Sequence, residues 1–169
     1  MEKPLTGKVA LVTGGSRGIG AATASVLTGR GFRVVVNYHA SAPEAEEVVA
    51  AISAAGGEAV AIQADVTAPG DVARMAGDID QRWGGVDVLV HNALIPYVIT
   101  SFAELTWEQL GGKLDRELQA AFLMTKAVVP CFPFLSKISC AKHGLLPWKP
   151  TADAVPPLWA PQTGKYLQP

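Results

Sequence analysis

The sequence predicts an α/β fold: a doubly wound parallel sheet of about four strands, followed by an irregular C-terminal tail. Three observations predict it. Short apolar runs alternate with longer helical segments as far as Pro130, at the spacing of parallel strand–helix–strand units. The runs show little in–out alternation, as in strands covered on both faces. A glycine-rich stretch, Thr13–Gly20, joins the first run to the first helical segment.

Lys8–Thr13 (KVALVT) predicts the first strand and Gly18–Arg30 the first helix, ended by Gly31. Phe32–Asn37 (FRVVVN), rich in β-branched residues, predicts the second strand. A helix follows over Pro43–Ala55. Glu44, Glu46 and Glu47 lie in its first turns, where the helix dipole favours carboxylates, and Gly56-Gly57 stops it. Glu58–Gln63 predicts the third strand, Pro69–Trp83 the third helix and Val86–His91 the fourth strand. A long helix capped by Thr106 or Ser101 reaches Val129, with Gly111-Gly112 weakening its early part. Leu114, Leu118, Ala121, Phe122, Thr125 and Val129 form an apolar stripe on it, expected to face the core, with an interface for another subunit as the alternative.

Composition bounds the function classes. The chain has 169 residues, 49% hydrophobic and 17% charged, enough for one globular domain. Its net charge of −1 argues against a nucleic-acid binder. No apolar run approaches the roughly 18 residues of a membrane span, and Met1–Lys8 shows no signal-peptide core, so a cytoplasmic location is expected. Two cysteines, Cys131 and Cys140, suggest no disulfide framework, and with His143 they lack a metal-site spacing, so no metal is predicted.

The character changes at Pro130. Residues 131–169 hold seven prolines and no Arg or Glu, which prevents a long helix or central strand. The expected organisation is therefore one α/β domain over 1–130 and an irregular Pro-rich tail over 131–169.

In Thr13-Gly14-Gly15-Ser16-Arg17-Gly18-Ile19-Gly20, Gly14 allows a tight turn, Gly18 lets the backbone approach a pyrophosphate, and Gly20 permits close packing of the helix. Free N–H groups at the helix start then bind phosphate oxygens. The G-x-x-x-G-x-G spacing resembles the short-chain dehydrogenase/reductase family, ketoacyl-reductase-like members above all. The likeness runs through VVVNYHASAPEAEEVV, Asp65-Val66, Leu89–Ala93 and Phe122–Lys126, covering residues 5–130.

The resemblance implies a Rossmann-type sheet binding a nicotinamide dinucleotide through Gly14, Ser16, Arg17, Gly18, Ile19 and Gly20, with Asn37 and Tyr38 beside it at the end of the second strand. Asn37-Tyr38-His39 offers no carboxylate to the adenosine ribose, whereas Arg17 presents a guanidinium to a 2′-phosphate and Ser41 a hydroxyl. NADP(H) is therefore favoured over NAD(H). The resemblance places the adenine ring at Asp65 and Val66, where an Asx turn is an equally good reading of Asp65. Asn92 and Ala93 end the fourth strand at the ligand-binding edge, but Leu94 stands where the family has glycine.

The family's catalytic residues are not found. Its proton donor is the tyrosine of a Tyr-x-x-x-Lys pair, the ammonium lowering the phenol pKa. Tyr38 is followed four residues later by Ala42 and Tyr97 by Ser101, and Tyr166 has too few residues after it. Glu117 occupies the place of a family asparagine, Ser139 only faintly echoes the catalytic serine, and His91 reads as a strand-end histidine. Measured against the family, the expectation is a truncated or frame-altered reductase relative that binds NADP(H) without independent turnover, its sheet incomplete and its fourth strand left as an edge. The alternatives are a working carbonyl reductase and an interaction module pairing through helix 114–129, as a homo-oligomer or with another subunit.

Overall fold

The structure, a computed structural model, describes residues 5–129. Four parallel strands and four helices alternate along the chain: β1 (Val9–Val12), α1 (Gly18–Gly29), β2 (Arg33–Tyr38), α2 (Ala42–Ala54), β3 (Glu58–Gln63), α3 (Pro69–Trp83), β4 (Val88–Val90) and α4 (Trp107–Val128). The sheet order is β3-β2-β1-β4, with Val9 opposite Arg33 and Ala10 opposite Val88. The predicted doubly wound parallel sheet is thus present, and β4 is an edge among the described residues. The tail over 131–169, with Ser139, Cys131, Cys140, His143 and Tyr166, lies outside the described residues.

The period-two pleat divides β1 between two cores. Ala10 and Val12 join Val34, Val36, Ala24, Ala45 and Ile52 under α1 and α2, while Val9 and Leu11 join Val35, Val72, Met75, Ile79, Ala120 and Met124 under α3 and α4. Every residue of β1 is buried, which is why KVALVT shows no alternation.

Predicted and observed ends differ at the fourth strand, expected over Val86–His91 and observed over three residues. At its start, both carboxylate oxygens of Asp87 turn to β1, one to Lys8 Nζ (2.6 Å) and one to the Val9 amide (2.9 Å). Past Val90 the chain is drawn onto Thr13. The helix cap is also settled. The Thr106 hydroxyl accepts from Gln109 N while the Gln109 side chain accepts from Thr106 N, a capping box, and Ser101 instead closes a turn with Glu104 and Leu105. Gly111 and Gly112 do not interrupt the helix.

The expected core-facing stripe of α4 needs correction. The helix buries Ala120, Met124 and Val128, an i, i+4 row, whereas Leu114, Leu118 and Phe122 are 48%, 67% and 63% exposed among the described residues. Those three lie on a different face of the helix from the row that meets α3 and the sheet. Among the described residues no helix is long and apolar enough to cross a membrane.

Candidate functional site

The strand order creates the site. From β1 the chain passes through α1 to β2 on one side, while β4 arrives on the other side of β1 from the opposite layer. The connections of β1 and β4 therefore lie in opposite layers, and their carboxyl ends form a topological switch point, the position where open α/β sheets bind ligands in a crevice.

The three glycines of the loop face different surroundings. Gly14 has a φ of +60°, and a Cβ there would lie 2.8 Å from Ala93 Cα, so the loop turns tightly against the end of β4. A Cβ on Gly20 would lie 2.5 Å from both the Asn92 amide nitrogen and the Gly14 carbonyl oxygen. Gly18, with a φ of +57°, has nothing within 4 Å of its missing Cβ. Two glycines thus permit contact within the protein and the third leaves a backbone turn open to an incoming group.

Gly18 also begins α1. Arg17, the N-cap, is extended and makes no side-chain capping bond, and the first turn holds no acidic residue. The other three helices each carry a carboxylate in the first turn: Glu44, Asp71 and Glu108. The positive end of α1 is left without a protein anion, beside the exposed Arg17 and Ile19.

Polar side chains hold the loop from behind. The buried polar residues among those described are Thr13, Ser16 and Asn37, all at the carboxyl ends of β1 and β2. The Thr13 hydroxyl donates to Val90 O (3.2 Å) and accepts from the amides of Asn92 (2.9 Å) and Ala93 (3.0 Å). Asn92 returns two bonds through Nδ2, to Thr13 O (2.9 Å) and Gly14 O (3.0 Å). Asn37 Oδ1 accepts from Gly14 N (3.3 Å), its Nδ2 donates to Ala64 O (3.1 Å), and its carbonyl accepts from Gly15 N (2.8 Å). Each strand end is thereby tied to the next.

The remaining predicted residues lie at or just beyond the carboxyl ends of β2, β3 and β4. Tyr38 is half-buried and packs against the α1–α2 core, and Ser41 is the N-cap of α2 with a hydroxyl that makes no capping bond. Asp65 forms the Asx turn: its Oδ1 accepts from Thr67 N (2.8 Å) and Thr67 Oγ1 (2.7 Å), and these bonds hold its carboxyl below the ordinary pKa. Val66 is buried in the α3–α4 core. His91 Nε2 lies 3.2 Å from Thr125 Oγ1, and burial pushes its pKa down.

Sequence reading missed Thr13 as a site residue, although a hydroxyl at the last position before Gly14-Gly15 was the available signal. It also missed the grip of α4 on the segment after β4. Glu117 Oε1 accepts from Ile95 N (3.2 Å) and pairs with Lys113, Lys113 Nζ also donates to Ile95 O, and Arg116 donates to Pro96 O (2.8 Å). Burial works against the charged form of Glu117, yet bonds from Lys113 and the Ile95 amide outweigh it and lower its pKa. Lys113 Nζ also sits 4.9 Å from the centroid of the Tyr97 ring. That position over the ring is a cation–π contact, while the hydrogen bonds of Lys113 go to Glu117 and Ile95. Among the described residues no group of three or more His, Cys, Asp or Glu is placed to hold a metal.

A glycine turn at the switch point of a four-stranded parallel sheet, backed by tied strand ends, is the arrangement of Rossmann-type α/β proteins. The model of the short chain dehydrogenase family matches residues 8–139, and the chain belongs to that oxidoreductase family. Among curated relatives, the 3-oxoacyl-[acyl-carrier-protein] reductase of Synechocystis sp. is 45% identical over 124 residues, 73% of this chain and 50% of the relative. A short-chain dehydrogenase from Burkholderia cenocepacia, solved in complex with NADP, superposes with a TM-score of 0.65 at 41% identity, covering 75% of this chain and 51% of that one. A blue fluorescent protein from a metagenomic library, solved in complex with NADPH, gives a TM-score of 0.68 at 35% identity, covering 78% and 53%. The chain spans about half the length of these relatives.

Proposed function

We propose that the crevice between β1 and β4 binds NADP(H), and that these 169 residues alone do not turn over a substrate. The observation that carries the first part is the amino end of α1, where Gly18 faces open space and no carboxylate fills the first turn. That arrangement suits a pyrophosphate, and Gly14, Ser16, Arg17, Gly18, Ile19, Gly20, Asn92 and Ala93 line or shape it. Preference for the 2′-phosphate rests on the absence of a carboxylate after β2, the exposed Arg17 and the uncommitted hydroxyl of Ser41. Asn37, Asp65 and Val66 then act from behind the crevice through backbone shape.

The cofactor supplies hydride to a carbonyl carbon in the family reaction. What these residues lack is the proton donor, since no tyrosine is followed four positions later by lysine. Fluorescence titration of NADPH and NADH against wild type and Arg17→Ala tests the binding. NADPH should bind about tenfold tighter than NADH, and the variant should lose that difference. Failure of folded wild type to bind either dinucleotide ends this reading. Ketone-dependent NADPH oxidation should lie about 10²–10⁴-fold below that of a full-length relative. A rate within about tenfold of one would restore the reading of a working reductase.

The exposed face of α4 favours a second reading, pairing with a like subunit through Leu114, Leu118 and Phe122. Sedimentation showing only monomer at high protein concentration would remove it.

A further inference from the structure

We propose that Lys113, Arg116 and Glu117 are positioning residues of the dinucleotide site, acting through the backbone of Ile95 and Pro96. The inference rests on the NADP(H) reading of the crevice. Residues 91–100 form no regular secondary structure, so their peptide groups have no ladder to satisfy them. One turn of α4 supplies the partners. Glu117 takes the Ile95 N–H, Lys113 donates to the carbonyl of the same residue, and Arg116 donates to Pro96 O at 2.8 Å. Lys113 and Glu117 also pair with each other, so the two prongs on Ile95 form one unit. The side chain of Ile95 is 7% exposed and joins the core that contains Ala120 and Met124, anchoring the peptide from its other side.

This grip reaches the crevice in two residues. Ala93 packs so closely on Gly14 that a Cβ there would lie 2.8 Å from its Cα, and Asn92 bonds both Thr13 and Gly14. A shift of a few tenths of an ångström at Ile95 therefore moves the wall against which the glycine loop turns. Leu94, where relatives carry glycine by resemblance, is 73% exposed and contributes little anchoring of its own. The charged prongs hold the backbone of this segment while the buried Ile95 side chain holds it from the core side.

The test uses the full chain, with Lys113→Met, Glu117→Ala and Glu117→Gln compared by amide hydrogen exchange and by NADPH titration. Lys113→Met and Glu117→Ala should speed exchange about tenfold at Ile95 and measurably at Asn92 and Ala93, leaving Val9–Val12 unchanged, and should weaken NADPH several-fold. Glu117→Gln keeps an acceptor for the Ile95 amide and should recover part of both losses. Unchanged exchange at Asn92 and Ala93 overturns the proposal. So does unchanged NADPH affinity despite faster exchange, or an equal rise at Val9–Val12. Faster local exchange in a chain whose wild type binds no NADPH leaves the grip standing and removes only the dinucleotide reading.

Discussion

Thr13→Val tests whether the hydroxyl of Thr13 is the knot of the site. Valine keeps the shape and the β-branch but removes an oxygen that serves three backbone groups: Val90 O, Asn92 N and Ala93 N. Val90 O retains its bond from Thr13 N at 3.1 Å, so the acceptor stays satisfied. The two amides do not. Thr13 is 2% exposed, and each buried donor left unpaired costs about 1–3 kcal/mol. Because Asn92 and Ala93 are only half-buried, the lower part of that range applies to each, giving about 2–4 kcal/mol together. With a urea m-value of about 2 kcal/mol/M, the midpoint should fall by about 1–2 M at unchanged slope. Thr13→Ser keeps the oxygen and should lose less than half as much. NADPH affinity should fall with the valine variant, since Asn92 and Ala93 lose their tether to the loop. A loss below about 0.5 kcal/mol, or serine matching valine, would refute the account of this hydroxyl as a three-way link.

Three further outcomes follow from separate features. Gly18→Asp should abolish NADPH binding while costing only about 1–2 kcal/mol of stability, because its side chain enters open space and the strain is that of one left-handed residue; urea unfolding beside titration checks both. Gly20→Ala should destabilise by about 1–3 kcal/mol, as its methyl meets the Gly14 carbonyl and the Asn92 amide, and should weaken NADPH binding through the displaced loop. Asp87 is held below the ordinary carboxylate pKa: burial opposes this, but the Lys8 and Val9 bonds outweigh burial. Its contribution is therefore present above the unfolded carboxylate pKa and lost as pH falls through the lowered folded value, so Asp87→Asn should flatten the acid limb of stability against pH.

The strands and helices were legible because they follow local rules. The apolar run KVALVT is buried at every position of β1, and the limits expected for β3 and α3 match those observed. The glycine loop was legible because Gly14 and Gly18 take left-handed φ values and Gly14 and Gly20 leave no room for a Cβ. The orientation of α4 was not. Its sequence carries two apolar rows, Ala120-Met124-Val128 and Leu114-Leu118-Phe122, and composition ranks the second as the greasier. Only packing against α3 and the sheet selects the row with the smaller side chains. The bonding of Asn37 was not legible either: its place at the end of β2 carries no local sign that its amide spans Gly14 and Ala64.

The distribution of buried polarity separates a folding role from a binding role here. A parallel sheet gains nothing by burying a threonine or an asparagine at a strand end, since valine would fill the same space with no polar group to satisfy. Yet Thr13, Ser16 and Asn37 are the polar residues buried among those described, and they converge on one loop while strand interiors stay apolar. Thr13 and Asn37 spend their bonds on peptide groups of Gly14, Asn92 and Ala93, so they hold those peptides in orientations that a ladder would not impose. Such backing has a physical use only if the front of the loop must keep a fixed shape with its amides free. The open space at Gly18, at the start of a helix without a carboxylate in its first turn, is that front. If Thr13 and Asn37 could both be replaced by valine with stability intact and NADPH affinity unchanged, loop shape would have no need of them, and the case for a preorganised anion cradle would fail.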